Sequence, residues 1–333
     1  MLFIDPSSLG YSIQGISILE KFMTAAKGPV IVETDPRLVP LFERSYQYPQ
    51  LKFVATTPEM RLPLPNGGAP DAKKDDIGFY FAGNAGRLAG LLGIDDDRYD
   101  WSTLLRPEIA APFDTLRLPD EQIPAPKPAY LLPDQRDIKQ WSYYFETDAV
   151  PVLITWNKGV SQHGPAAQQN LDANDVAFIL RELHRTSDVK LSFHNAVHGI
   201  TPNDYAAVNS QLSEDARLYP IFDVKNGEPF DVGQKIDRLA AFMSAAKSRS
   251  GIMLGVGNTY QHLWYAVGPR AGYGHDQIVV LPNGDFPTKP TWELQARQPN
   301  SPTIVVSKYS DFATNRTDTL LNIVAQARNA LRF

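Results

Sequence analysis

At 333 residues the chain is long for a single hydrophobic core and comfortable for two ordinary domains, and its apolar and charged fractions are those of a globular protein. It has no cysteine, which excludes disulfides, thiolate catalysis and a cysteine-ligated zinc site. The net charge of −5, with no Lys/Arg block and no basic face interleaved with aromatics, argues against a nucleic-acid surface. No apolar run has the length of a bilayer span, and the first residues lack a basic region followed by an apolar core, so the cytoplasm is the expected location.

In chain order, "GYSIQGISILEKFMTAAK" spaces Ile13, Ile16, Leu19, Phe22 and Met23 as one face of a helix. "GPVIVET" reads as a buried strand. A short helix should follow in "DPRLVPLFERSY", with Asp35 as its cap, Pro36 at its first position and Pro40 limiting its length. "KFVAT" is a further strand, whereas 57–76, rich in Pro, Gly and charge, reads as a loop. Repeated prolines between 106 and 134 give an extended connection, and "DIKQWSYYFE" is helical.

From Val150 the alternation restarts. Strands are expected in "VPVLITW", "VKLSFHN", "LYPIFD", "GIMLGVG" and "QIVVLP". Helices are expected in "DANDVAFILRELHR", "PNDYAAVNSQLSED", "IDRLAAFMSAAKS", "YQHLWYAVG" and, at the end, "TDTLLNIVAQARNALRF". Alternation of this kind predicts parallel sheets covered by helices. The expected organisation is an α/β protein of two domains, 1–145 and 146–333, joined by a proline-rich link and facing across a cleft. Ligands then belong outside the carboxyl ends of the strands.

The stretch "GVGNTYQHLWYAVG" carries the most chemistry. A strand ends near Gly257 and a helix starts near Tyr260, so unpaired backbone N–H groups and a partial positive charge suit a phosphate there. Asn258 or Thr259 would cap that helix and His262 would lie in its first turn. The local residues also fit a capped helix with His262 packed on a neighbouring strand. Lys158, at the end of the "ITW" strand, is placed either to meet a phosphate or to sit on an exposed turn. Arg37 and Arg44 flank a short helix, to hold acceptor groups or to stitch the helix to carboxylates. His194 and His198 read as loop residues after a strand. Ser161, His163 and Asp175 lack the nucleophile elbow that would make a triad, and Asp95–Asp97 read as a solvated loop.

These residues resemble the heptosyltransferase-like members of glycosyltransferase family 9. Asn258, Thr259, His262, Leu263, Ala266 and Gly268 fall on the family's Asn-Thr-Thr-x-His-Leu-Ala-Gly-Ala-Leu-Gly stretch. "IVETDPRLVPLFERSYQYP", "PAYLLPDQRDIKQW", "VLITWNKG" and "KIDRLAAFMSA" are similar to further family segments in the same order. The resemblance implies a GT-B architecture of two Rossmann-like domains, the first receiving the acceptor and the second holding a nucleotide-diphosphate sugar. The C-terminal helix would be free to pack back on the first domain. The resemblance further implies no metal and no cofactor beyond that donor. Asn258, Thr259, His262 and Lys158 would hold the donor diphosphate, and Tyr11, Ser12 and Arg37 would lie on the acceptor side. The acceptor would be a glycan, lipid-linked glycan or protein hydroxyl.

Two positions depart from the family pattern. Tyr11 stands where the first loop normally carries its aspartate, and a phenol with a pKa of about 10 is a poor base at neutral pH. Asp5 is the nearby carboxylate that could replace it. Gly257 stands where an acidic residue often precedes Asn-Thr. Both an active transferase and a non-catalytic binding or scaffolding protein are therefore compatible with the sequence.

Overall fold

The computed structural model describes residues 2–4, 13, 16, 30–55, 77–79, 130–145, 148–156, 171–195, 200–221, 236–256, 259–267, 278–281, 303–305 and 314–331. The chain divides into two units. The first comprises Met1–Pro133, Tyr265–Val267 and Thr288–Leu294, and the second Asp134–Trp264, Gly268–Pro287 and Gln295–Phe333.

The first unit holds strands β1 (Leu2–Ile4), β2 (Val30–Thr34), β3 (Leu51–Ala55) and β4 (Ile77–Phe79), with helix α1 (Val39–Ser45) between β2 and β3. They form one four-stranded parallel sheet in the order β3-β2-β1-β4. The start of α1 differs from the expectation. Asp35 does not cap it and Pro36 does not open it. The Asp35 carboxylate instead accepts from the Arg37 N–H at 2.9 Å, and residues 36–38 form a turn. The helix begins after Leu38, and Pro40 falls within its first turn, where its missing N–H costs no helical bond. Phe42 anchors α1 by ring contacts to Phe53 and Tyr46. The segment 130–132 is fastened to it: Leu132 N–H donates to Ser45 Oγ, Arg44 Nη1 to the Leu132 carbonyl, and Tyr130 N–H to Tyr46 Oη.

The second unit begins with helix α2 (Gln135–Tyr144) and continues with β5 (Val150–Thr155), α3 (Ala173–Thr186), β6 (Leu191–Asn195), α4 (Pro202–Asn209) and β7 (Leu218–Pro220). Then come α5 (Ile236–Lys247), β8 (Ile252–Val256), α6 (Thr259–Ala266, its last two residues counted with the first unit), β9 (Ile278–Leu281), β10 (Thr303–Val305) and α7 (Arg316–Ala330). Local chemistry sets several starts. Asp134 caps α2, and Asp172 with Asp175, like Thr201 with Asp204, forms a reciprocal capping box. Helix α4 is shorter than its sequence pattern. It stops at Asn209, whose side chain bonds both the N–H and the carbonyl of Leu218 and so ties the helix end to β7.

The six strands are all parallel, in the order β10-β9-β8-β5-β6-β7. Numbered from the unit's first strand this is 3-2-1-4-5-6, the doubly wound order of dinucleotide-binding sheets. One face packs Val152, Ile154, Trp156, Phe193, Ile252 and Leu254 against α3, α4 and α7. Side chains alternate along a strand, so Leu153, His194 and Met253 face the other way. Phe242 of α5 meets His194 there, and α2 lies against α5 through Trp141 and Phe145, each with its ring centroid 5.0 Å from that of Phe242.

The short strands β1, β4 and β10 are absent from the sequence reading. Each is three residues long, too short for a period to show.

Candidate functional site

In the second sheet the connections turn one way after β5, to β6 and β7, and the other way after β8, to β9 and β10. The switch point therefore lies between β5 and β8, and the crevice outside their carboxyl ends is where a doubly wound sheet binds ligand. The two ends are level: Thr155 pairs in register with Gly255. Both are buried, and Gly255 has φ of +137°, a conformation that side-chain-bearing residues rarely adopt.

Beside this edge the exit from β5 is fixed by a buried polar network. Asn195, at the end of β6 and 1% exposed, accepts the Trp156 N–H on Oδ1 at 3.2 Å and donates from Nδ2 to Tyr205 Oη at 3.0 Å. The Trp156 indole donates to the Leu171 carbonyl at 3.0 Å, and the Ile221 N–H donates to the Asn195 carbonyl. Burial pushes the Tyr205 phenol up to about 12, with the Asn195 bond acting in the opposite direction. A neutral phenol and amide thus lock the backbone at Trp156 without a buried charge.

From β8 the chain re-enters a helix at Thr259, three positions after the strand ends, so α6 opens directly from the carboxyl edge of a switch strand. Thr259 occupies the first helical position and His262 the fourth, within the opening turn. Leu263, Trp264 and Ala266 bury the helix against its surroundings. The carboxyl end of α6 is capped twice: Lys247 Nζ donates to the Trp264 carbonyl at 2.8 Å, and Leu131 N–H donates to the Ala266 carbonyl.

Of the residues singled out from sequence, Asp5, Tyr11, Ser12, Lys158 and Asn258 lie outside the described residues, as do Ser161, His163, His198 and Asp95–Asp97. Arg37 donates from Nε and Nη2 to the two oxygens of Asp35, at 2.8 and 2.6 Å, and Asp35 is 1% exposed at the end of β2. The fork holds Arg37 at the carboxyl edge of the first sheet, with its side chain 37% exposed. Arg44 stitches α1 to the Leu132 carbonyl. Asp175 serves the α3 cap and an ion pair with Arg316.

His194 corrects the loop assignment: it is the fourth residue of β6 and buried. Tyr144, Phe145, Tyr219 and Phe242 surround its ring, and among the described residues neither nitrogen has a hydrogen-bond partner. Burial lowers its pKa to about 3, so it is a neutral, packed imidazole.

Among the described residues no group of His, Asp and Glu is assembled to hold a metal ion, and no helix is long and apolar enough to cross a membrane. Asn195 and Lys247 were missed from sequence. The available signals were a polar pair ending an apolar strand and a lysine ending a helix rich in Ala, Leu, Phe and Met.

No family model matches the chain, and no curated protein matches it in sequence. Solved structures do. The ADP-heptose LPS heptosyltransferase II of Escherichia coli superposes with a TM-score of 0.53 at 14% identity, over 96% of this chain and 98% of that one. A glycosyl transferase of family 9 from Veillonella parvula DSM 2008 superposes with a TM-score of 0.58 at 14% identity, over 99% of this chain and 96% of that one. Both likenesses run through nearly the whole of each chain. The fold is that of these two glycosyltransferase structures, the α/β GT-B class expected from the sequence.

Proposed function

We propose, from that shared fold, that this chain is a metal-independent glycosyltransferase that draws a sugar from a nucleotide-diphosphate donor and passes it to an acceptor hydroxyl in the cytoplasm. The observation that carries this reading is the opening of α6 at the switch point of a 3-2-1-4-5-6 sheet, with Thr259 and His262 in its first turn. Backbone N–H groups and the positive end of the helix suit a diphosphate there. Asn258, Thr259, His262 and Lys158 are assigned to that diphosphate, and Tyr11, Ser12 and Arg37 to the acceptor side.

In the reaction the bond between the donor sugar's anomeric carbon and the diphosphate oxygen breaks, and the acceptor oxygen bonds to that carbon. The nucleoside diphosphate leaves with the electron pair, and the acceptor proton passes to a base. Helix N–H groups and His262 stabilise the departing charge without a metal. Asp5 is assigned as the base, because Tyr11 occupies the position where family 9 carries its aspartate. The same substitution favours a second reading, a binding or scaffolding protein that keeps the donor site and has lost transfer.

A melting-point screen against nucleoside diphosphates and their sugars tests the reading. An adenosine diphosphate sugar is the first to try, given the donor named for the E. coli neighbour. Ligand at about 100 times its dissociation constant adds roughly 2.7 kcal/mol of stability. His262→Ala should lose most of the shift, and an unchanged shift would remove His262 from the site. Binding with no transfer to any acceptor, in wild type and Asp5→Asn alike, would leave the scaffold reading.

A further inference from the structure

We infer that Lys247 is a positioning residue for the donor diphosphate: it holds and electrically completes helix α6 from the end opposite the phosphates. This rests on the donor-site reading above. Lys247 closes α5, where Leu239, Ala240, Ala241, Phe242, Met243, Ala245 and Ala246 are all buried and apolar. A lysine of 9% exposure in that setting is expensive, and an apolar residue of similar length would ordinarily serve the core as well or better.

Its geometry shows what the charge serves. Nζ donates to the Trp264 carbonyl at 2.8 Å and lies 5.4 Å from the centroid of the Trp264 ring, which is itself fully buried. Trp264 belongs to the last turn of α6, where carbonyls lack intrahelical partners and carry the negative end of the helix dipole. The ammonium therefore neutralises that end and pins the helix to α5. The opposite end, at Thr259, opens from the switch strand β8.

Two consequences follow for an anion at the opening turn. The helix is about 12 Å long at 1.5 Å per residue, so the buried charge acts on the anion through the protein interior. At an effective dielectric of about 20, removing that charge should weaken a bound diphosphate about fivefold or more. The pinning also fixes where the first-turn N–H groups point, which a flexible helix would not.

The test compares wild type with Lys247→Met, Lys247→Gln and Lys247→Arg by titration calorimetry. The probes are ADP, GDP, UDP and CDP, each set against its nucleoside. Lys247→Met should lose about fivefold or more in affinity for the diphosphate that wild type binds, with nucleoside affinity unchanged. Lys247→Gln, which keeps a donor for the Trp264 carbonyl but not the charge, should lose most of the same factor, and Lys247→Arg should restore it. If Lys247→Met does not fold, the glutamine and arginine variants decide the matter. Wild-type diphosphate affinity in Lys247→Gln, or equal losses for diphosphate and nucleoside, would overturn the inference. If wild type binds none of the four diphosphates, the donor-site reading fails and this inference with it.

Discussion

Gly255 and Thr155 stand directly opposite each other on β8 and β5, so close that a Cβ on the glycine would lie 2.4 Å from Thr155 Oγ1 and 3.1 Å from the Thr155 backbone nitrogen and oxygen. The φ of +137° at Gly255 adds a backbone penalty for any side chain. Gly255→Ala should therefore cost about 2–4 kcal/mol, from strain plus overpacking. The loss should appear as a lowered denaturant midpoint with an unchanged slope. Thr155→Ser in the same chain keeps the close hydroxyl and should rescue little, whereas Thr155→Gly should recover part of the loss.

Asn195 satisfies two buried groups. Asn195→Leu leaves the Trp156 N–H and the Tyr205 hydroxyl without this partner, and should destabilise by about 2–3 kcal/mol. Tyr205→Phe removes only the hydroxyl and should cost less, about 1 kcal/mol. A double variant less destabilised than the sum would demonstrate the coupling by a mutant cycle. Strict additivity would show that the two side chains act independently.

His194 predicts the acid limb of the stability curve. Its folded pKa is about 3 against an ordinary 6.5, so below pH 6.5 the unfolded chain takes up a proton that the folded chain refuses. Its contribution is full above pH 6.5 and is lost as pH falls toward about 3, by up to about 1.4 kcal/mol per pH unit. Urea unfolding at a series of pH values should show that slope in wild type and a shallower one in His194→Leu. Equal slopes would mean that the imidazole reaches water in the folded protein.

Arg316 ties the start of α7 to the start of α3. Its Nε donates to Asp175 Oδ1 at 2.8 Å, and Nη2 pairs with the other oxygen of Asp175 and, at 3.4 Å, with Asp172. Asp175 is nearly buried while Arg316 is more than a third exposed, so screening reduces what the pair is worth. Arg316→Ala should cost about 1–2 kcal/mol, and Arg316→Lys should recover only part because it lacks the fork. Hydrogen exchange should quicken first in the opening turns of α3 and α7, and protection unchanged there would locate the cost elsewhere.

Much of the fold was legible because its signals are local. "VPVLIT" and "IMLGV" are short β-rich runs, and "DANDVAFILRELHRT" carries both its capping box and its apolar stripe within one segment. "GNTYQHLWYAVG" likewise announced a strand-to-helix turn, and α6 begins at Thr259. Where a residue's state depends on which partner its side chain finds, the local signal failed. Asp35 looked like a helix cap until Arg37 claimed its carboxylate. His194 looked like a loop residue until Tyr144, Phe145, Tyr219 and Phe242 closed over it.

The sequence by itself determined the class, two runs of alternating strands and helices, because side-chain periods of 2 and 3.6 and helix caps are properties of neighbouring residues. Only the tertiary structure decided the strand order, the switch point between β5 and β8, the closeness of Gly255 to Thr155, and the cap that Lys247 places on α6. Each of these joins residues far apart in the chain, and it is set by which buried faces and unpaired backbone groups find each other when the sheets assemble.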